Sequence, residues 1–144
     1  MSSEELLRFD SVSKHYQQPS GGVLKALDGV SFAVAAGRKL AVTGRSGSGK
    51  SSLLHLAAGI DVPSEGKVSF QGRDIGTMDD RERTVYRRDA IGLVFQFFYL
   101  LPHLTVWENL VLPAWIASDR GVSERGRQLL DRVGMGARAH DEVS

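Results

Sequence analysis

The sequence predicts an α/β fold, and three observations carry that prediction. A short apolar stretch, Lys39 to Thr43, runs directly into a glycine-rich turn and then into a helix-forming segment. Two strand-like segments precede it, one around Leu6 to Val12 and one at Val30 to Val34, where apolar residues alternate with small or polar ones. Helical patterning then dominates from Thr105 onward. At 144 residues the length suits one domain with a hydrophobic core.

Taken in order, the elements follow from local chemistry. Gln17-Gln18-Pro19-Ser20-Gly21-Gly22 is polar and rich in turn formers, a loop between the first two strands. Lys39 to Thr43 reads as the next strand. A helix follows from Lys50, with Leu53, Leu54, Leu56 and Ala57 as its inner face and Gly59 placed to end it. Pro63-Ser64-Glu65-Gly66 is turn chemistry and leads into a strand from Lys67 to Phe70. A polar helix is predicted over Asp79 to Arg88, then a buried strand over Ile91 to Phe95. Thr105 and Glu108 have the spacing of a capping box, so a helix begins there. The last amphipathic helix fits Ser123 to Val133, with Leu129, Leu130 and Val133 facing inward.

Composition removes several function classes. Hydrophobic residues at 42% and charged residues at 24% are ordinary for a soluble globular protein. The net charge of +1 is not gathered into a basic face, so no nucleic-acid partner is expected. Cysteine is absent, which excludes disulfides and thiolate metal sites and suits a reducing compartment. Met-Ser-Ser-Glu-Glu lacks the basic start and apolar stretch of a secretory signal. The longest apolar stretch, Ile91 to Leu101, is interrupted by Gln96 and closed by Pro102, short of the roughly 20 residues a membrane span needs. His15, His55, His103 and His140 show no metal-ligand spacing. Arg81, Arg83, Arg87 and Arg88 alternate with acids and read as a solvated helix face, while Trp107 and Trp115 read as packing residues.

The most specific signal is Gly44-Arg45-Ser46-Gly47-Ser48-Gly49-Lys50-Ser51, a full match to G-x-x-x-x-G-K-S/T between a predicted strand and a predicted helix. A triphosphate needs many donors converging on it, and backbone N–H groups can supply them only where side chains do not block the approach. Gly44, Gly47 and Gly49 clear that approach and allow left-handed backbone angles. The helix beginning near Lys50 directs its positive end, including the amides of Ser51 and Ser52, at the same phosphates. Lys50 adds a full charge near the β and γ phosphates, and the Ser51 hydroxyl can ligate Mg²⁺. Reading Gly47 to Ser52 as a dinucleotide-binding G-x-G-x-x-G fails at Ser52 and leaves Lys50 without a role.

Kinases, GTPases and transport ATPases all share such a P-loop. Here Ser11-Val12-Ser13-Lys14-His15-Tyr16, Ala26-Leu27-Asp28-Gly29-Val30-Ser31-Phe32 and the P-loop resemble the start of an ATP-binding cassette (ABC) ATPase. Leu53 to Gly66 continues the likeness, as do Ile91-Gly92-Leu93-Val94-Phe95-Gln96 and Leu100 to Leu110. The resemblance covers nearly the whole chain and is similar to the subgroup that serves lipoprotein release and macrolide or peptide export. It implies a P-loop NTPase with a RecA-like ABC core and N-terminal antiparallel β strands over about 1–95. The Q-loop and the start of the helical subdomain would occupy about 96–144. No Asn/Thr-Lys-x-Asp guanine motif follows.

The resemblance also implies roles. Tyr16 takes the place of the aromatic that stacks on adenine, although its pattern is also that of an edge-strand residue. Gln96 takes the place of the glutamine that reaches Mg²⁺ and the attacking water, or simply ends a buried strand. Phe97 to Pro102, as a group, falls where a coupling helix of a transmembrane permease docks, although any single one of them also fits a buried segment of the subdomain core. ATP and Mg²⁺ are the implied ligands, with a second ABC subunit as dimer partner and a cytoplasmic place at the inner face of the membrane.

The motif set is incomplete. The sequence contains no Leu-Ser-Gly-Gly-Gln signature, no run of four apolar residues leading into Asp-Glu (the Walker B strand), and no switch histidine. The expectation is an N-terminal part truncated before the Walker B strand, with little hydrolysis of its own and an aggregation-prone sheet edge. A non-hydrolysing nucleotide-binding module, or a soluble ABC ATPase acting on nucleic acid or ribosomes, are the alternatives.

Overall fold

The computed structural model describes residues 5–119 and 121–143. Two compact units divide the chain, Met1–Leu93 and Val94–Ser144.

The first unit is built on a four-stranded antiparallel sheet. Strand β1 (Glu5–Gln17) turns at Gln18, whose N–H donates to Gly22 O at 2.8 Å, and pairs with β2 (Val23–Ala35). Its other edge pairs with β3 (Glu65–Phe70), which pairs with the short β4 (Arg73–Asp74), giving the order β2-β1-β3-β4. Strict alternation would send Phe9 and Val12 to opposite faces, yet both are buried. The register of β1 against β2 shifts between those two residues. Ser11 there takes φ 50°, and its N–H leaves the ladder to bond Ser31 Oγ at 2.8 Å. This bulge inserts one residue and restores the inward set.

Behind the sheet lies helix α1 (Lys50–Ala57), followed by α2 (Asp80–Ala90). The core gathers Phe9, Val12, Leu27, Leu56, Val68, Ile75, Met78 and Tyr86, with Phe32 stacked on Phe9 at 4.6 Å between ring centroids. Asp79 and Glu82 form a capping box that starts α2. From α2, the Tyr86 hydroxyl donates to Ala57 O at 2.8 Å and the Arg87 guanidinium to Gly59 O at 2.8 Å. The carbonyls at the tail of α1 are thereby satisfied, and burial pushes the Tyr86 phenol up to about 12. Gly59 follows the helix at φ 64°, the left-handed position its sequence placement predicts.

In the second unit, α3 (Val106–Ile116) starts at the predicted capping box, Thr105 with Glu108, and α4 (Val122–Arg132) packs against it. Val111, Val122 and Leu130 are buried. A Cβ on Gly126 would come within 2.9 Å of the Trp107 ring, so the small residue is what lets the indole lie against α4.

Several expectations are corrected. Lys39 to Thr43 and Ile91 to Phe95 are not strands, and Leu40, Val42, Leu93, Val94 and Phe95 are exposed. A parallel strand is held by neighbours on its edges, and among the described residues none runs beside either segment. Leu54 is exposed while Leu56 is fully buried, because the face of α1 that meets the core is narrower than its apolar content. On α4 the inward stripe is Val122, Gly126 and Leu130, one helical turn apart, which leaves Leu129 and Val133 outside. Trp107 packs as expected, but Trp115 is half exposed. Arg87 is only partly exposed, because its guanidinium reaches the Gly59 carbonyl just after α1.

Candidate functional site

The glycine-rich loop turns at the N-terminus of α1. Gly44, Gly47 and Gly49 all have positive φ, at 156°, 78° and 89°. Gly49 is the N-cap and carries the closest approach in the loop. A Cβ there would sit 2.2 Å from the carbonyl oxygen of Ala26 on β2, so the loop can lie on the sheet only because that atom is missing. Ser48 N–H donates back to Arg45 O at 3.2 Å and tightens the turn.

The first amide bonded inside α1 is that of Leu53, which donates to Gly49 O at 2.9 Å. No side chain caps this helix. The N–H groups of Lys50, Ser51 and Ser52 are therefore left open by the helix at its positive end. Helices α2 and α3 begin at capping boxes, whereas α4, like α1, begins at a glycine with no side-chain cap. Lys50 folds over the loop, its Nζ donating to Gly44 O at 2.9 Å, to Arg45 O at 2.7 Å and to Ser48 Oγ at 3.4 Å. The result is a half-exposed cradle of open amides with a cation braced at its rim, a fit to the charge and shape of a phosphate chain. For Mg²⁺ the exposed Ser51 hydroxyl is an oxygen ligand of the right hardness. The described residues contain no group of three His, Cys, Asp or Glu that could hold a metal by themselves.

Tyr16, near the end of β1, reaches the same helix. Its hydroxyl lies 3.4 Å from Ser52 Oγ in the first turn of α1 and 3.0 Å from Asp61 Oδ2. Asp61 also receives Lys14 Nζ at 2.6 Å and the Val62 N–H at 2.8 Å through Oδ1. Burial alone would raise the carboxyl of Asp61, but the Lys14, Val62 and Tyr16 hydrogen bonds outweigh it and hold the group below the usual carboxylate range. The structure thus brings Tyr16 and Ser52 together and adds Lys14 and Asp61, which sequence reading passed over. Gln96 lies in the second unit, exposed at a bend, with Phe97 to Pro102 following it in an exposed, irregular segment.

The family described as ABC transporter matches residues 27–144. Among curated relatives, the chain is 42% identical over 136 residues to a "Lipoprotein-releasing system ATP-binding protein LolD" of Cereibacter sphaeroides, covering 93% of this chain and 61% of that one. The LolD protein of Nitratidesulfovibrio vulgaris is 40% identical over 144 residues, covering 99% and 61%. The "Macrolide export ATP-binding/permease protein MacB" of Bdellovibrio bacteriovorus is 36% identical over 135 residues, covering 94% of this chain and 21% of that one. Among solved structures, a dimeric structure of a post-hydrolysis state of the ATP-binding cassette MJ0796, bound to ADP and Pi, superposes with a TM-score of 0.83 at 34% identity. That match covers 95% of this chain and 61% of the other, so the chain spans about three-fifths of the two LolD relatives and of this cassette.

Proposed function

The chain belongs to the ABC transporter family, and on that premise we propose that it is the ATP-binding part of a transport machine. It binds Mg·ATP on the Gly44–Ser52 loop and works with a second ABC subunit and with transmembrane partners that carry the substrate pathway. The observation that carries this reading is the uncapped start of α1, with Lys50 braced beside it. An amide cradle of that form has one obvious class of ligand, a polyphosphate.

Within the site each residue has a task. The open amides of Lys50, Ser51 and Ser52 bind phosphate oxygens, and Lys50 offsets their charge. Tyr16 offers its ring to the base. The Ser51 hydroxyl would hold Mg²⁺, which would supply positive charge to the phosphate oxygens, and for Gln96 a ligand role rests on the family resemblance alone. By the same resemblance Gln96 would orient the attacking water and sense the terminal phosphate. In the assembled transporter, Gln96→Ala is expected to keep ATP binding while transport and hydrolysis lose their coupling. Full coupling in that variant would remove Gln96 from the site.

Phe97, Phe98 and Tyr99 are 68%, 85% and 74% exposed, and Leu100 and Leu101 follow at about half. Such an apolar run at a surface suits an amphipathic helix from a membrane subunit. No helix among the described residues is long and apolar enough to cross a membrane, and attachment at the inner face through that contact is part of the same proposal. The names of the LolD and MacB relatives favour release or export as the task.

In-line attack on the terminal phosphate needs a positioned water and charge stabilisation beyond a P-loop. These 144 residues lack both the Walker B run and the signature. Expressed by themselves they are expected to take up nucleotide and turn it over negligibly. A phosphate-release assay showing robust turnover that disappears with Lys50→Ala would contradict this expectation.

A further inference from the structure

We infer that Asp61, held by Lys14, is a positioning residue that locks Tyr16 onto the phosphate helix and so sets the spacing between the nucleotide base and its phosphates. This inference rests on the reading of Tyr16 as the base platform.

The contacts form a closed set. Lys14 Nζ donates to Asp61 Oδ1 at 2.6 Å and to Val62 O at 2.9 Å. Val62 N–H donates to the same Oδ1 at 2.8 Å, leaving Oδ2 for the Tyr16 hydroxyl at 3.0 Å. With its one proton given to the carboxylate, the phenol oxygen accepts from the Ser52 hydroxyl at 3.4 Å. The ammonium of Lys14 also lies 5.0 Å from the centroid of the Tyr16 ring, over its face. Ring orientation and ring tip are therefore both fixed, one by a cation and the other by a carboxylate.

Two features separate this cluster from an ordinary surface ion pair. The Lys14 side chain is only 12% exposed, so its charge depends on Asp61 rather than on water. The cluster also joins three distant pieces of chain, β1, the start of α1 and the segment after α1. Its far end, Ser52, sits among the amides that face phosphate. A ring fixed before the ligand arrives spares the entropy of ordering it on binding, worth about 2- to 12-fold in affinity for one side chain.

The test uses the full-length protein and two probes, Mg·ATP and inorganic tripolyphosphate, titrated by calorimetry. Asp61→Asn is expected to weaken ATP binding about three- to tenfold while tripolyphosphate binding stays within about twofold. Tyr16→Phe, which removes one oxygen and keeps the ring, should lose as much. The double variant should be no weaker than the weaker single, because both break one link. Lys14→Arg keeps the charge and should retain most of the affinity. Unchanged ATP affinity in Asp61→Asn would overturn the inference, as would equal losses for both probes or additive losses in the double variant. Should Asp61→Asn fail to fold, Tyr16→Phe carries the same comparison. Tyr16→Ala separates the two levels. If it leaves ATP affinity unchanged, the base-platform reading fails. If it weakens ATP binding while Asp61→Asn and Tyr16→Phe do not, only the positioning role fails.

Discussion

Lys50→Ala is expected to weaken Mg·ATP binding on the order of 100-fold, with little change in thermal stability. A unit pair at 4 Å in an effective dielectric near 20 is worth about 4 kcal/mol, and the half-exposed position of Lys50 reduces that to about 2–3 kcal/mol. The side chain does two things in the structure. It carries charge, and it braces the loop by bonding Gly44 O, Arg45 O and Ser48 Oγ. Lys50→Gln keeps a donor and loses the charge, so it separates the two. It should be nearly as weak as the alanine variant. Binding restored by glutamine would mean that the brace, not the charge, was the larger contribution. Calorimetric titration of both variants decides the matter, and a Lys50→Ala protein that binds within about threefold of wild type would sink the phosphate-cradle reading.

Gly49→Ala is expected to damage folding as well as binding. The new methyl would meet the Ala26 carbonyl oxygen at 2.2 Å and Leu27 Cδ2 at 3.0 Å, and Ala26 O is backbone in β2 that cannot rotate away. The left-handed angle, φ 89°, costs about 1–2 kcal/mol more in a residue with a Cβ. Together these should exceed about 3 kcal/mol and lift the loop off the sheet. Gly47→Ala is the matched comparison. Its φ is 78° but nothing lies within 4 Å of an added Cβ, so only the backbone cost of about 1–2 kcal/mol applies. Urea denaturation should rank Gly49→Ala well below Gly47→Ala. Equal midpoints would show that contact with β2 does not govern the loop.

What could be read beforehand followed the range over which each signal acts. The helix after the P-loop and the helices at Asp79 and Thr105 were legible because turn chemistry, helical patterning and, at Thr105, a capping box act over short windows. Lys39–Thr43 and Ile91–Phe95 misled because apolar content signals burial, while strand formation needs a hydrogen-bonding neighbour that no local window reports. The faces of α1 and α4 were only half right. Leu54 and Val133 are apolar and exposed, and the residue that seats Trp107 is a glycine, which no hydrophobic pattern marks. Lys14 and Asp61 lie 47 positions apart and carry common surface chemistry, so their junction with Tyr16 emerges only once β1 has been laid beside the tail of α1.

The grip of α2 on the end of α1 has a mechanical meaning. Tyr86 and Arg87 fasten two carbonyls, that of Ala57 at the end of α1 and that of Gly59 just after it, to an element whose own start is locked by its capping box. The rod whose head carries the open amides is consequently anchored at its foot. These bonds oppose unravelling of the last turn, so a displacement of the head is expected to pass into α2. In this unit a continuous hydrogen-bonded line thus runs from the glycine loop, along one short helix, into the next.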